Sequence, residues 1–219
     1  WRAFGRSDRH YVKEYEADTN LRLCLVVDTS GSMDYSSGGI VKIEYARRIA
    51  AALGYLASQQ GDAVGITCVA DGIVRSLPPR RSPAHLGLVF DVLEAARPAG
   101  PTRLPEVLHE LAETTRQRAV VAVVSDLFCE PEALATAFSH LKFRRHDVAV
   151  FHLLDPQEIA FRFQRPTRFL DMEGGGAIFA DPLDIADRYH AAVEAWLESL
   201  RRVVLESAID YHRIVTDEP

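Results

Sequence analysis

Two apolar runs that each end abruptly at an aspartate constrain this chain more than any other feature in it. Leu21-Arg22-Leu23-Cys24-Leu25-Val26-Val27 stops at Asp28, and Ala119-Val120-Val121-Ala122-Val123-Val124-Ser125 stops at Asp126. Short runs of Leu and Val bounded by turn formers predict strands covered on both faces, the kind found in a parallel sheet between two layers of helix. After the first run, Asp28, Ser30 and Ser32 follow at i, i+2 and i+4, with Gly31 between the serines. A tight loop with that spacing turns one carboxylate and two hydroxyls toward a common point. A hard cation such as Mg²⁺, which takes oxygen donors and keeps several waters, suits such a point. Asp, Ser and Gly are also ordinary turn residues whose side chains bond to nearby backbone, so the rest of the chain has to decide.

The remaining pattern alternates strand and helix. A helix over 41–59 carries Ile43, Ala46, Ile49, Leu53 and Leu56 on one face, and Gly61 ends it. Residues 62–70 predict a strand, Asp71-Gly72 a tight hairpin turn and 73–77 an antiparallel return, closed at the edge by Pro78-Pro79. Helices follow over 84–96 and 105–116, the second opening on a proline, with a loop at 97–102 that carries Thr102. Beyond Asp126 the pattern gives a helix over 131–143 and a strand over 147–154. Asp155-Pro156-Gln157-Glu158 then has the form of a helix start. Glu173-Gly174-Gly175-Gly176 reads as a hairpin turn between 169–172 and 177–180, since a phosphate-cradling loop would open a helix directly. A long helix opens at Asp181-Pro182, with Leu183, Ala186, Tyr189, Val193, Trp196, Leu197 and Leu200 as its core stripe. A strand over 209–215 ends the sequence.

The fold class expected is therefore α/β, a doubly wound, Rossmann-like, mostly parallel sheet with one antiparallel edge strand. Residues 1–20, polar with interleaved aromatics and an edge strand at 11–16, form a lead-in, and 21–219 the domain. In such sheets ligands sit outside the carboxyl ends of the strands, which is where Asp28 and Asp126 fall and where the loop of Thr102 reaches the same rim.

Composition narrows the class of partner. A formal charge of −6 argues against a nucleic-acid binder, and the arginine pairs at 80–81, 144–145 and 201–202 are isolated. No run approaches the length needed to cross a bilayer. Cys24, Cys68 and Cys129 lack zinc-like spacing and read as reduced thiols of a cytoplasmic protein. His152 reads as a structural histidine, Asp34 as a solvated loop acid, Glu44 and Tyr45 as packing residues at a helix start, and Asp155 and Asp181 as helix caps.

Asp28-Thr29-Ser30-Gly31-Ser32, Thr102 on a glycine-containing loop and Asp126 after an apolar strand resemble the three-part metal-ion-dependent adhesion site of von Willebrand factor type A domains. The resemblance implies that Ser30, Ser32 and Thr102 supply hydroxyl oxygens to Mg²⁺, or to Mn²⁺ or Ca²⁺. Asp28 and Asp126 would act directly or through waters, and one position would be left for an acid of the partner. Pro101, between Gly100 and Thr102, departs from the pattern by stiffening that loop. More narrowly, the segments DRHYVKEYEADTN, LVVDTSGSMD, KIEYARRIAAALGYLASQQGDAVGI, VVSDLF, RHDVAVFHLLDPQE, FLDMEGG and IDYHRIVTDEP resemble the prokaryotic family catalogued as domain of unknown function fifty-eight. That likeness implies a partner or adaptor of MoxR-type AAA+ ATPases, and a further segment ahead of Trp1.

The leading expectation is a non-catalytic, metal-dependent protein-binding module. A metal-dependent hydrolase of phosphatase type is the alternative, though the chain has no G-x-S-x-G elbow and no Walker-type loop. A structural subunit with a vestigial metal site is the third.

Overall fold

The first apolar run becomes β1 (Arg22–Asp28) at the centre of a six-stranded sheet in the computed structural model, which describes residues 21–217. The lead-in and the expected 11–16 strand lie outside the described residues. After β1 come a 3₁₀ turn (Gly31–Asp34), α1 (Lys42–Gln59), β2 (Ala63–Ala70), β3 (Gly72–Arg80), α2 (Pro83–Ala95) and α3 (Leu104–Thr114). The second half runs β4 (Val120–Ser125), α4 (Pro131–Phe143), β5 (Asp147–Leu154), the short α5 (Pro156–Ala160), β6 (Thr167–Leu170), β7 (Ala177–Ala180), α6 (Pro182–Ser207) and β8 (Asp210–Val215).

The strand order is β3-β2-β1-β4-β5-β8, with β3 antiparallel to β2 and every other pairing parallel. The chain winds outward from β1 through β2 to β3, then returns beside β1 as β4 and winds the other way. The order thus reverses between β1 and β4, and the crevice outside their carboxyl ends is where Asp28 and Asp126 emerge.

Alternation along β1 divides the interior. Leu23, Leu25 and Val27 pack with Ile43, Ala46 and Ala50 of α1 and Leu86, Val89 and Leu93 of α2. Cys24 and Val26 face Leu104, Val107 and Leu108 of α3, Leu134, Phe138 and Leu141 of α4, and Leu200, Val203 and Val204 of α6. Both faces are dry, as the unbroken apolar runs require.

Two expectations need correction. The edge does not close at Pro78-Pro79: β3 continues through both prolines to Arg80, and its register with β2 shifts between Val64 and Ile66. Prolines donate no ladder bond, and an edge strand with an irregular register tolerates them. Nor is the predicted stripe of α6 a core face along its length. Leu183 is 73% exposed, Trp196 packs half-buried against the core, and the helix adds fully buried core side chains only from Leu200 onward. Twenty-six residues of helix span about 39 Å, against about 25 Å for the longer strands, so half of α6 has no sheet beneath it. There Tyr189 stacks on Phe161 with ring centres 4.0 Å apart.

The bend at the edge depends on Gly65. A Cβ there would lie 2.6 Å from both the Leu77 carbonyl oxygen and the Pro79 nitrogen, backbone atoms that cannot swing aside. Gly65→Ala should therefore destabilise the fold by about 1–3 kcal/mol. Gly87, in the exposed face of α2 with open space around it, should respond oppositely, Gly87→Ala stabilising by about 0.5–1 kcal/mol. Urea unfolding of the two variants should show midpoints displaced in opposite directions.

Candidate metal and ligand site at the sheet rim

Asp28 is the last residue of β1 and is completely buried. One carboxylate oxygen accepts the Ser30 backbone N–H at 2.9 Å, and the other accepts the Ser125 hydroxyl at 2.6 Å and the Thr102 hydroxyl at 3.3 Å. The Ser30 and Ser32 hydroxyl oxygens lie 3.2 Å apart. Burial first, and the charge of Asp126 second, push the Asp28 carboxyl up to about 6, against the pull of its hydrogen bonds. Every partner it has is a neutral donor.

Thr102 reaches Asp28, 74 positions away, because backbone bonds lash its loop to the loop after β1 and to the end of β2. Ala99 N–H donates to the Thr29 carbonyl at 2.9 Å, Gly31 N–H to Gly100 at 2.8 Å and Arg103 N–H to Ala70 at 2.8 Å. Gly100, at φ +73°, makes the turn that lets the loop lie this close.

Asp126 makes no hydrogen bond to the other four predicted residues. It follows Ser125, which does, and one of its oxygens accepts the Lys42 ammonium at 2.8 Å while the other accepts the Phe128 N–H at 3.4 Å. Leu127, next in the chain, is buried at φ 56°, a left-handed conformation that is costly for a branched side chain and concentrates strain beside the site. The structure therefore gathers Asp28, Ser30, Ser32 and Thr102 tightly. Asp126 joins them through its neighbour and its charge.

Three further residues belong to this rim and were not read as site residues from the sequence. Lys42, completely buried, also donates to Glu158 at 2.6 Å, so a single ammonium bridges carboxylates from the two sides. Burial would lower the Lys42 pKa, but the two carboxylates outweigh it and the ammonium stays charged. Glu158 does double duty: its second oxygen accepts the Asp155 N–H at 2.7 Å, closing the capping box of α5. The sequence signal for Lys42 was its position. It sits in the first turn of α1, where a cation opposes the helix dipole and so needs a reason to be there. The third is Glu173, at the tip of the β6–β7 hairpin, with one oxygen accepting the Thr102 N–H at 3.2 Å and the other buried without a hydrogen-bond partner.

Other candidates have quieter roles. His152 is buried, shares a 2.6 Å bond with the Tyr211 hydroxyl and stands edge-on to Trp196; burial pushes it down to about 4, leaving it neutral. Asp34 is exposed, Glu44 pairs with Arg47, and Asp155 and Asp181 cap α5 and α6. The three cysteines are free. Burial raises the Cys24 and Cys68 thiols to about 11, and burial together with Asp28 and Asp126 raises Cys129 further, so none is a ready nucleophile.

As a host for a cation the rim depends on its hydroxyls. Among the described residues no three His, Cys, Asp or Glu side chains are arranged to hold a metal. The oxygens of Asp28, Ser30, Ser32 and Thr102 form a hard, weakly charged donor set that fits Mg²⁺ and gives soft metals nothing.

The Lys42 clasp makes its own prediction. Lys42→Met should cost about 3–5 kcal/mol by stranding two buried carboxylates. Glu158 is already raised by burial with Lys42 in place, and losing the cation raises it further. A raised carboxyl contributes stability that is present at low pH and lost as pH climbs. The deficit measured by urea unfolding should thus be larger at pH 8 than at pH 5.

Among solved structures the chain is similar in fold to BatB from Bacteroides thetaiotaomicron (TM-score 0.59, 15% identity, 90% of this chain and 91% of that one). It is similar as well to an aerotolerance-related membrane protein from Bacteroides fragilis (TM-score 0.56, 14% identity, 89% and 91%). A third likeness is to the SpRpn10 VWA domain (TM-score 0.51, 11% identity, 90% and 88%). At these identities the likeness is one of fold, and the fold is of von Willebrand factor A type. No helix among the described residues is long and apolar enough to cross a membrane. In sequence, 163 residues are 26% identical to uncharacterized proteins of Mycobacterium bovis and Mycobacterium tuberculosis, covering 73% of this chain. The chain spans about half the length of these relatives. Residues 1–195 match the family described as "Protein of unknown function DUF58", and the chain belongs to that family.

Proposed function

We propose that the rim is a divalent-cation site through which this domain binds an acidic side chain of another protein, and that the partner is an AAA+ ATPase of MoxR type. The observation that carries the reading is Asp28: a fully buried carboxylate at the strand-order reversal, hydrogen-bonded only by neutral donors and pushed up to about 6. The neighbouring buried acid, Asp126, already has Lys42. A buried charge without a counter-charge is expensive, and a cation at Asp28 offsets that cost.

Ser30, Ser32 and Thr102 would hold Mg²⁺ through hydroxyl oxygens, with Asp28 and Asp126 binding directly or through waters; Mn²⁺ and Ca²⁺ are the alternative occupants. Bound there, the ion would present a positive, coordinatively open centre to an incoming carboxylate. The chain's own contribution is to keep it so. Three of the five donors are neutral, and Lys42 partly neutralises one of the two that are not. No catalytic role is assigned: the cysteines are protonated and His152 is neutral, buried and already bonded. The link to a MoxR-type ATPase rests on the family likeness, whereas the chemistry of the contact rests on the rim.

Mg²⁺ at about a hundred times its dissociation constant should add about 2.7 kcal/mol to the unfolding free energy. Asp28→Asn should abolish that gain without unfolding the metal-free protein, because the amide keeps the shape and sheds the buried charge. Thermal melts with Mg²⁺ and with chelator measure the first effect. Retention of an AAA+ ATPase on immobilised protein, with Mg²⁺ but not with EDTA or on Asp28→Asn, measures the second. An equal Mg²⁺ shift in both proteins would refute the metal site, and metal-independent retention would refute the contact.

A further inference from the structure

We propose that Glu173 is the site's own acid. The β6–β7 hairpin delivers this carboxylate to the position that an external acid would take, so a partner binds by displacing the hairpin. The inference rests on the cation-site reading above and extends it to how access is controlled.

Three observations carry it. First, Thr102 joins the two carboxylates directly: its hydroxyl donates to Asp28 at 3.3 Å and its backbone N–H to Glu173 at 3.2 Å. Glu173 is thus held by the same residue that bonds Asp28, and its other oxygen is buried with no hydrogen-bond partner, a costly state for a carboxylate that a cation would relieve. Second, the hairpin backbone is seated on the loop after β1. A Cβ on Gly31 would lie 2.0 Å from the Met172 carbonyl oxygen, so the glycine between the two serines is what lets the hairpin come down. Third, the tip is shaped to present this side chain. Asp171 accepts the Glu173 N–H at 2.8 Å, and Asp171 N–H donates to Gly176 at 2.8 Å. Gly174 and Gly176 adopt φ of +105° and +104°, and a Cβ on Gly175 would strike the Asp171 carboxylate at 2.0 Å. A turn of three glycines folds tightly around one acid.

The hairpin is also built to leave. Its two strands pair only with each other, outside the main sheet, and Leu170, Ile178 and Phe179 are 63%, 70% and 73% exposed. Phe169, stacked on Phe161 and edge-on to Phe163, anchors one strand, while a short two-stranded ribbon is marginally stable on its own.

The test uses the whole chain, Mn²⁺ as a spectroscopic stand-in for Mg²⁺, and Glu173→Gln, which keeps the shape of the side chain and removes its charge. Expected results are an Mn²⁺ affinity about tenfold weaker than wild type, as befits one charged ligand fewer. Millimolar acetate should restore affinity in Glu173→Gln and not in wild type. Hydrogen exchange at residues 171–176 should slow when Mn²⁺ binds the wild type and stay fast in the variant. Glu173→Gln binding Mn²⁺ as tightly as wild type, with no acetate rescue and the same exchange at the tip, overturns the inference while leaving the cation site standing. If wild type and Asp28→Asn take up Mn²⁺ alike, or neither takes it up, the cation-site reading fails and the inference with it.

Discussion

Parallel strands that leave one point in opposite winding directions bring their carboxyl ends to a single crevice, and in this protein one central strand ends in an acid and the other runs directly into one. β1 and β4 pair directly, Val27 beside Val124, so Asp28 and Asp126 emerge a residue apart at the same rim, each fully buried. Two carboxylates so close in a dry environment cannot both ionise without compensation. The local architecture is a response to that constraint. Lys42 crosses from α1 to take Asp126, Ser125 and Thr102 turn their hydroxyls to Asp28, and the loop before α3 is tied down by three backbone bonds to hold Thr102 there.

The compensation is unequal, and the inequality gives the rim its character. Asp126 receives a full positive charge, shared with Glu158, whereas Asp28 receives only dipoles and rises to about 6. An entirely ion-paired rim would be inert. A rim with no ammonium would hold three buried acids and repel a fourth. With Lys42 absorbing part of the charge, one fully buried acid is left without a counter-charge.

Much of this was legible because it is written in local patterns. The unbroken runs at 21–27 and 119–125 fixed two central strands, Asp71-Gly72 announced the antiparallel edge, and Asp155 with Glu158 announced a capping box that the structure contains. Asp28, Ser30 and Ser32 fall together because they are neighbours in the chain. Thr102 was placed by topology, since a loop between helices in a doubly wound sheet has few rims to visit. What escaped was carried by single contacts between distant residues. Lys42 reads as the polar first residue of an amphipathic helix, and nothing within its own turn reveals acids more than eighty positions further on. Glu173 reads as one more polar residue in a glycine turn. The exposed half of α6 escaped for a different reason: a helical stripe says which side of a helix is apolar, but whether anything lies beneath it depends on the length of the sheet.

Glycine links the rim to the hairpin. At Gly31 the missing Cβ serves the approach of the Met172 carbonyl, and at 174–176 three more glycines fold the tip that carries Glu173 inward. Each glycine costs conformational entropy on folding, and a hairpin with exposed apolar strands returns little of it through burial. The return comes from Phe169 stacked on Phe161, from the seating of Met172 on Gly31 and from the tip, where Glu173 accepts one hydrogen bond from Thr102 and keeps its second oxygen unpaired. Across Thr102 the Glu173 carboxylate stands on the side opposite Asp28, each bonded to a different donor of the same residue. A cation held as proposed would attract both carboxylates. On the proposed reading the docking of the hairpin would then follow the loading of the rim, and so the charge at the end of β1.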